Sequence, residues 1–240
     1  MSQEFEFRRT KHGARLNGEE LTLVYSTMPS ESGKNFFFDM PGEEMLVSAR
    51  DLTPVFQPSR YHPELLEIIN GVWEGNCLES GAGLGQFAPE MAKHGKHVHV
   101  IDPVDYTLLF DMIVAMQPKL YLLGNVPEKD LCELSELKDR ANTIITSDHI
   151  THHKMLLGDF VRKNTRLFNS FSLVVDNYGP SVWTETEGYV STNETVDNLH
   201  WKLLCGGGLF YTCDTKREKS RQSGWKIDNK YSTAGLGGLK

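Results

Sequence analysis

The sequence predicts an α/β protein: an open, mostly parallel twisted sheet with helices on both faces. Three observations point there. Five short apolar runs recur in the second two-thirds of the chain, "NCLES" (76–80), "HVHVID" (97–102), "HKMLLGD" (153–159), "FSLVVDN" (171–177) and "GLFYTCD" (208–214). Segments with helical spacing lie between them, which is how a parallel sheet reads when helices cover it. Each run also ends at an acid, Glu79, Asp102, Asp159, Asp176 or Asp214, and in a parallel sheet such ends lie along one edge, where open α/β folds bind their ligands. An acid after a strand also caps the next helix, so each one taken singly has a plainer explanation.

The helices follow in order. "HPELLEIINGVW" (62–73) carries Pro63 in its first turn and Gly71 as a stop, and "QFAPEMAKHG" (86–95) ends at Gly95. "DYTLLFDMIVAMQ" (105–117) is expected to run up to Pro118, and "TNETVDNLHWKLLCGGG" (192–208) to start at Thr192 and stop at Gly206. A further helical piece, "PEKDLCELSELKDRANTI", lies between Pro118 and His149. Residues 1–50 are different in character. Alternating "EFEFR", then "LTLVY" (21–25) and "NFFFDM" (35–40) predict an N-terminal arm or hairpin. The expected organisation is therefore an arm over 1–50, a ligand-binding domain over 51–214, and a polar, flexible tail over 215–240.

A chain of 240 residues fits one large domain with decorations, and 39% apolar with 24% charged residues is ordinary for a globular protein. The formal charge of −7 argues against general nucleic-acid binding, which calls for a basic surface. Six basic residues between Lys216 and Lys230 are read as a solvated terminus. Four scattered cysteines without a CxxC pair suggest reduced thiols in the cytoplasm, and no apolar run approaches membrane-spanning length. The histidines of "HITHH" and "HGKHVH" match no zinc spacing, so no metal is expected; His97 and His99 fall on one face of a strand, in structural roles.

The loop after the first run reads Gly81-Ala82-Gly83-Leu84-Gly85, preceded by Glu79. Glycines there turn the chain sharply and let the backbone approach a ligand, with loop and helix-start amides pointing at it. The spacing differs from the G-x-G-x-x-G of dinucleotide-binding folds. The form E-x-G-x-G-x-G, with Asp102 ending the next run, resembles motif I of the class I S-adenosylmethionine-dependent methyltransferases. The resemblance covers about Tyr61 to Asp214. It implies a Rossmann-like core with sheet order 3-2-1-4-5, and S-adenosyl-L-methionine as cofactor. Glu79, Gly81, Ala82, Gly83 and Gly85 would pass its amino-acid part, and Asp102 would take the ribose hydroxyls. Asp159 would accept from the adenine amine, and Phe160 would flank the ring.

In that family the fourth strand end faces the transferred methyl, which makes Asp176, Asn177 and Tyr178 the catalytic candidates. Asp176 is the first choice of base, with His62 or His200 behind it. Tyr61, His62 and Trp183 are candidates to line the substrate pocket. The sequence Asp176-Asn177-Tyr178 departs from the N/D-P-P-Y form of methyltransferases acting on bases, and between Arg50 and Ser80 there is no lysine to begin a Lys-Asp-Lys-Glu set. The expected acceptor is thus an oxygen or nitrogen of a small molecule or a protein side chain, by in-line transfer. Two alternatives stay open: a non-catalytic module that binds the cofactor as a sensor or assembly partner, and a nicotinamide-dependent oxidoreductase, which Asp102 permits but the glycine spacing and the lack of Tyr-x-x-x-Lys oppose. The family core ends in an antiparallel strand pair, for which residues 215–240 look too polar; the N-terminal segment is expected to supply it, leaving a reduced C-terminal end. The acceptor and the oligomeric state are not legible in the sequence.

Overall fold

The structure is a computed structural model, and it describes residues 8–16, 19–27, 35–39, 46–50, 75–85, 87–123, 128–176, 180, 196–212, 226–228 and 236–239. They fall into two compact units.

The larger unit holds a seven-stranded sheet in the order β10-β11-β9-β8-β5-β6-β7. Its strands are β5 (Asn76–Ser80), β6 (Val98–Ile101), β7 (Ile150–His153), β8 (Phe171–Asp176), β9 (Leu204–Thr212), β10 (Lys226–Asp228) and β11 (Leu236–Leu239). The five from β5 to β9 pair in parallel. Numbered by first appearance their order is 3-2-1-4-5, the doubly wound arrangement expected from the sequence.

Side chains alternate across the sheet, and the two faces recruit different helices. Leu78, Ile101, Phe171, Val174, Leu204 and Phe210 form one buried cluster with residues of α4 (Leu157–Lys163) and α5 (Val196–Leu203). On the opposite face, Glu79 meets the start of α1 (Phe87–Lys93), which packs along β6 and β7. The cluster buries twelve apolar residues.

The smaller unit holds an antiparallel sheet of β1 (Arg8–Leu16), β2 (Glu19–Thr27), β3 (Asn35–Asp39) and β4 (Leu46–Arg50), with the helices α2 (Tyr106–Leu123) and α3 (Glu128–Thr146). Asp105 starts α2 because its Oδ1 accepts the Leu108 amide at 3.0 Å, an N-cap. Buried Leu109, Met112, Ile113 and Met116 on α2, and Leu131, Leu134, Leu137, Ala141 and Ile144 on α3, recur at helical spacing. The two helices pack together, and α2 also packs on β1.

Several expectations are corrected. The third parallel strand is Ile150–His153, not 153–159, and the chain from Leu157 is helical. The apolar run "HKMLLGD" has a strand-like composition, but Leu157, Phe160 and Val161 recur at helical spacing and enter the core cluster on one helix face. Helix α2 continues through Pro118. The proline removes an N–H that would have bonded the Val114 carbonyl, and both Val114 and Pro118 are exposed. Helix α5 ends at Leu203, and Gly206 lies inside β9 rather than at a helix stop. The N-terminal segment does not complete the main sheet but forms a four-stranded sheet of its own. The antiparallel pair comes from the supposed tail: β11 pairs with β9, and β10 with β11. The described residues of these strands number three in β10 and four in β11. The expected helix over 62–73, Thr192 and Asp214 lie outside the described residues.

Cys77, Cys132 and Cys205 are free thiols, and no helix of the described residues is long and apolar enough to cross a membrane.

Replacing the wholly buried Phe160 by alanine is expected to cost about 3–5 kcal/mol of stability, measured by denaturant unfolding without any ligand. A ring that served only to flank a ligand would leave the ligand-free stability unchanged.

Candidate functional site

Glu79, Asp102 and Asp176, three of the five acids noted in the sequence, stand at the carboxyl ends of β5, β6 and β8, with Asp102 acting on Glu79 and Asp176 facing α5. Glu79 is 1% exposed and Asp102 4%. Glu79 Oε2 accepts the Ala88 amide at 3.1 Å, while Oε1 is buried with no hydrogen-bond partner among the described residues. Burial, the largest cause, pushes the Glu79 carboxyl up to about 8; the Asp102 charge adds to this, and the Ala88 hydrogen bond opposes it.

The loop that follows turns on two left-handed glycines, Gly81 at φ 68° and Gly83 at φ 51°, where a side chain would be strained. Not every amide there is open to a ligand as expected: Gly81 N–H donates to the Ile101 carbonyl at 2.8 Å, extending the sheet, and Ala88 N–H is taken by Glu79. Ala82 is buried, as is Gly85. Gly83, Leu84 and Gly85 belong to the smaller unit, where two side chains hold their carbonyls. Tyr106 Oη donates to the Gly83 oxygen at 2.7 Å and Arg140 Nη1 to the Leu84 oxygen at 3.1 Å. Sequence reasoning missed both. Tyr106, four residues past Asp102, was read only as part of a helix, and an arginine 56 residues beyond the loop carries no local signal.

Asp159 stands in the first turn of α4, ion-paired with Arg162 rather than at a strand end. Phe160 has no exposed surface and sits in the core cluster, so its expected place flanking an adenine is corrected: its faces are covered by protein, with the His153 ring centroid at 4.7 Å. Asp176 is fully buried, and His200 of α5 comes to it with Nε2 3.8 Å from Oδ2, its ring tilted at 33° to the Phe210 ring with centroids 5.1 Å apart. The two candidate bases Asp176 and His200 are thereby brought together. Asn177, Tyr178, Tyr61, His62 and Trp183 lie outside the described residues.

The histidines of β6 and β7 are structural neighbours. His99 Nδ1 meets His153 Nε2 at 2.9 Å with the rings stacked, His97 Nε2 meets Thr151 Oγ1 at 3.0 Å, and His152 Nε2 meets the Asp102 carbonyl at 2.9 Å. Among the described residues no group of three or more His, Cys, Asp or Glu is arranged to hold a metal. Burial and the adjoining His153 and His97 push His99 down to about 4, and burial with His152 lowers His153.

No protein-family model matches the chain, and no curated protein sequence matches it. Among solved structures it is similar to a fibrillarin pre-rRNA processing protein of Methanococcus jannaschii, at 11% identity over 96% of this chain and 97% of that one, with a TM-score of 0.40. It is also similar to a SAM-dependent methyltransferase of Neisseria gonorrhoeae, at 13% identity over 89% and 84%, TM-score 0.42. With the glycopeptide N-methyltransferase MtfA it shares 18% identity over 59% of this chain, spanning about half of that protein (47%), at a TM-score of 0.29. Identities and superpositions this low leave the chain's own residues to carry its function.

Two pH effects follow, with opposite signs. His99 is depressed in the folded state, so its contribution is present above the ordinary value of 6.5 and is lost as pH falls toward about 4. The midpoint of thermal unfolding should therefore drop more steeply with acidification in the wild type than in His99→Phe, the difference between the two curves isolating the histidine. Glu79 is raised, so its contribution is lost as pH rises from 4.5 through about 8. Glu79→Gln should remove a stability loss of roughly 2 kcal/mol between pH 6.5 and 8, checked by denaturant titrations of the ligand-free protein at both pH values.

Proposed function

We propose that the chain binds S-adenosylmethionine at the carboxyl edge of β5 and β6 and transfers its methyl group to an oxygen or nitrogen of a small molecule or protein side chain. The observation that carries this reading is the conjunction at one strand end: a buried Glu79 with an unmatched oxygen, a turn on left-handed Gly81 and Gly83, and Asp102 closing the neighbouring strand. The residues fit a ligand with a cationic amino-acid part and a ribose. The acidic pair suits the positive charge, and a carboxylate at the position of Asp102 suits two vicinal hydroxyls. A nicotinamide dinucleotide would bring two phosphates to a strand end that already carries Glu79 and Asp102.

S-adenosylmethionine supplies a methyl group already activated on a sulfonium. The protein's share is alignment, exclusion of water and, for a protonated acceptor, a base. Asp102 is assigned the ribose, and Asp159 the adenine amine. Asp176, with His200 3.8 Å away, is assigned the acceptor's proton, and Asn177 and Tyr178 its orientation. Tyr61, His62 and Trp183 are assigned to the acceptor pocket. The net charge of −7 disfavours a polyanionic acceptor. The full burial of Asp176 favours a second reading, in which the chain holds the cofactor without turnover and acts as a sensor or assembly partner.

Calorimetric titration with S-adenosylmethionine, S-adenosylhomocysteine and NAD in parallel tests the proposal. Micromolar binding of the first two without NAD is expected, and binding of NAD alone would overturn it. Asp102→Ala should weaken binding by about 1–3 kcal/mol through lost charge-assisted hydrogen bonds; a wild-type affinity would remove Asp102 from the ribose role.

A further inference from the structure

Glu79 is an unusual counter-ion. One of its oxygens has the Ala88 amide at 3.1 Å, while the other is enclosed without a hydrogen-bond partner among the described residues. A carboxylate buried in this way is costly, because half of its hydrogen-bonding capacity is spent on nothing.

The groups packed around it do not offset the charge. On β5 the same face carries Cys77, whose thiol burial pushes up to about 11. From β6 comes Asp102, of like sign, and from β7 His152, whose ring nitrogen meets the Asp102 carbonyl. The register neighbour on β8 is the apolar Val175. Helix α1 bears Glu90 and Lys93, and His94 follows it; Glu90 pairs with Lys93 at 3.1 Å and with His94 at 3.6 Å. Lys96, beyond that helix, acts on Cys77. The charge of Asp102 acts on Glu79 and opposes its ionisation.

We propose, on the S-adenosylmethionine reading of the site, that occupation of this strand edge is coupled to ionisation of Glu79, so that the site selects nucleosides bearing a cationic amino group. The ligand's ammonium or sulfonium supplies a positive charge, which none of the described groups named above brings to Glu79. An opposite charge within about 4–6 Å favours the ionised carboxyl, and contact is not required. The Glu79 O–H bond breaks, its proton passes to solvent, and the electron pair stays on the carboxylate. No electrons are exchanged with the ligand, whose ammonium keeps its own protons. A neutral nucleoside such as adenosine brings no charge and leaves Glu79 protonated. The raised value of about 8 for the ligand-free carboxyl places the effect within the neutral range.

The test is calorimetry of the full chain with S-adenosylhomocysteine at pH 7, in two buffers of different ionisation enthalpy. Close to one proton should be released per ligand, with the dissociation constant tightening about tenfold per pH unit up to about pH 8 and levelling beyond it. Adenosine should bind more weakly and release none. In Glu79→Gln, S-adenosylhomocysteine should bind without proton release. The wild-type pH dependence stands alone if that variant does not fold. Binding of S-adenosylhomocysteine with no proton release and a pH-independent dissociation constant, or with equal release in Glu79→Gln, would overturn the coupling while leaving the cofactor assignment intact. Failure of any nucleoside to bind would overturn both.

Discussion

A carboxyl group on the middle strand of a parallel sheet is enclosed by the strands beside it and the helix over it, and its hydrogen-bonding needs then constrain the chain around it. Glu79 is in that position, and the surrounding chain is arranged around it. Its Oε2 takes the Ala88 amide and so ties the strand to the start of α1 across the glycine loop. The loop can then turn only through conformations that need Gly81 and Gly83. The Gly81 amide continues the β5–β6 ladder beyond the strand, which brings Asp102 to the same edge. The left-handed turn and the acidic edge thus meet at one strand end.

Much of this was legible beforehand. The run 76–80 matches β5 residue for residue, and the runs at 97–102 and 171–177 differ from β6 and β8 only at their ends. Fully buried parallel strands are apolar throughout and bounded by turn residues, so little competes with that pattern. The third run failed because an apolar stretch of this length cannot be told from a buried helix by composition alone. Phe160 was misassigned for the same reason: a residue at a supposed strand end became an inward position of α4.

The site divided along a similar line. Local signals found Glu79, the glycines, Asp102 and Asp176. What the sequence could not show are contacts between distant segments. Arg140 reaches the Leu84 carbonyl from 56 residues away, and the His99–His153 pair joins two strands 54 residues apart. The antiparallel pair β10–β11 was also invisible, since "KID" and "LGGL" lack an apolar run; their place is set by backbone pairing to β9.

The outer strands of the large sheet have one more consequence. A sheet edge presents unpaired backbone groups on which another chain can grow a strand, and the length of the edge sets how much such growth gains. Here the parallel series ends on the four residues of β7, and the opposite end steps down from nine residues in β9 to four in β11 and three in β10. Along the described residues the long central ladder of this sheet therefore tapers toward both margins, and the C-terminal pair leaves little backbone there for another chain to pair with.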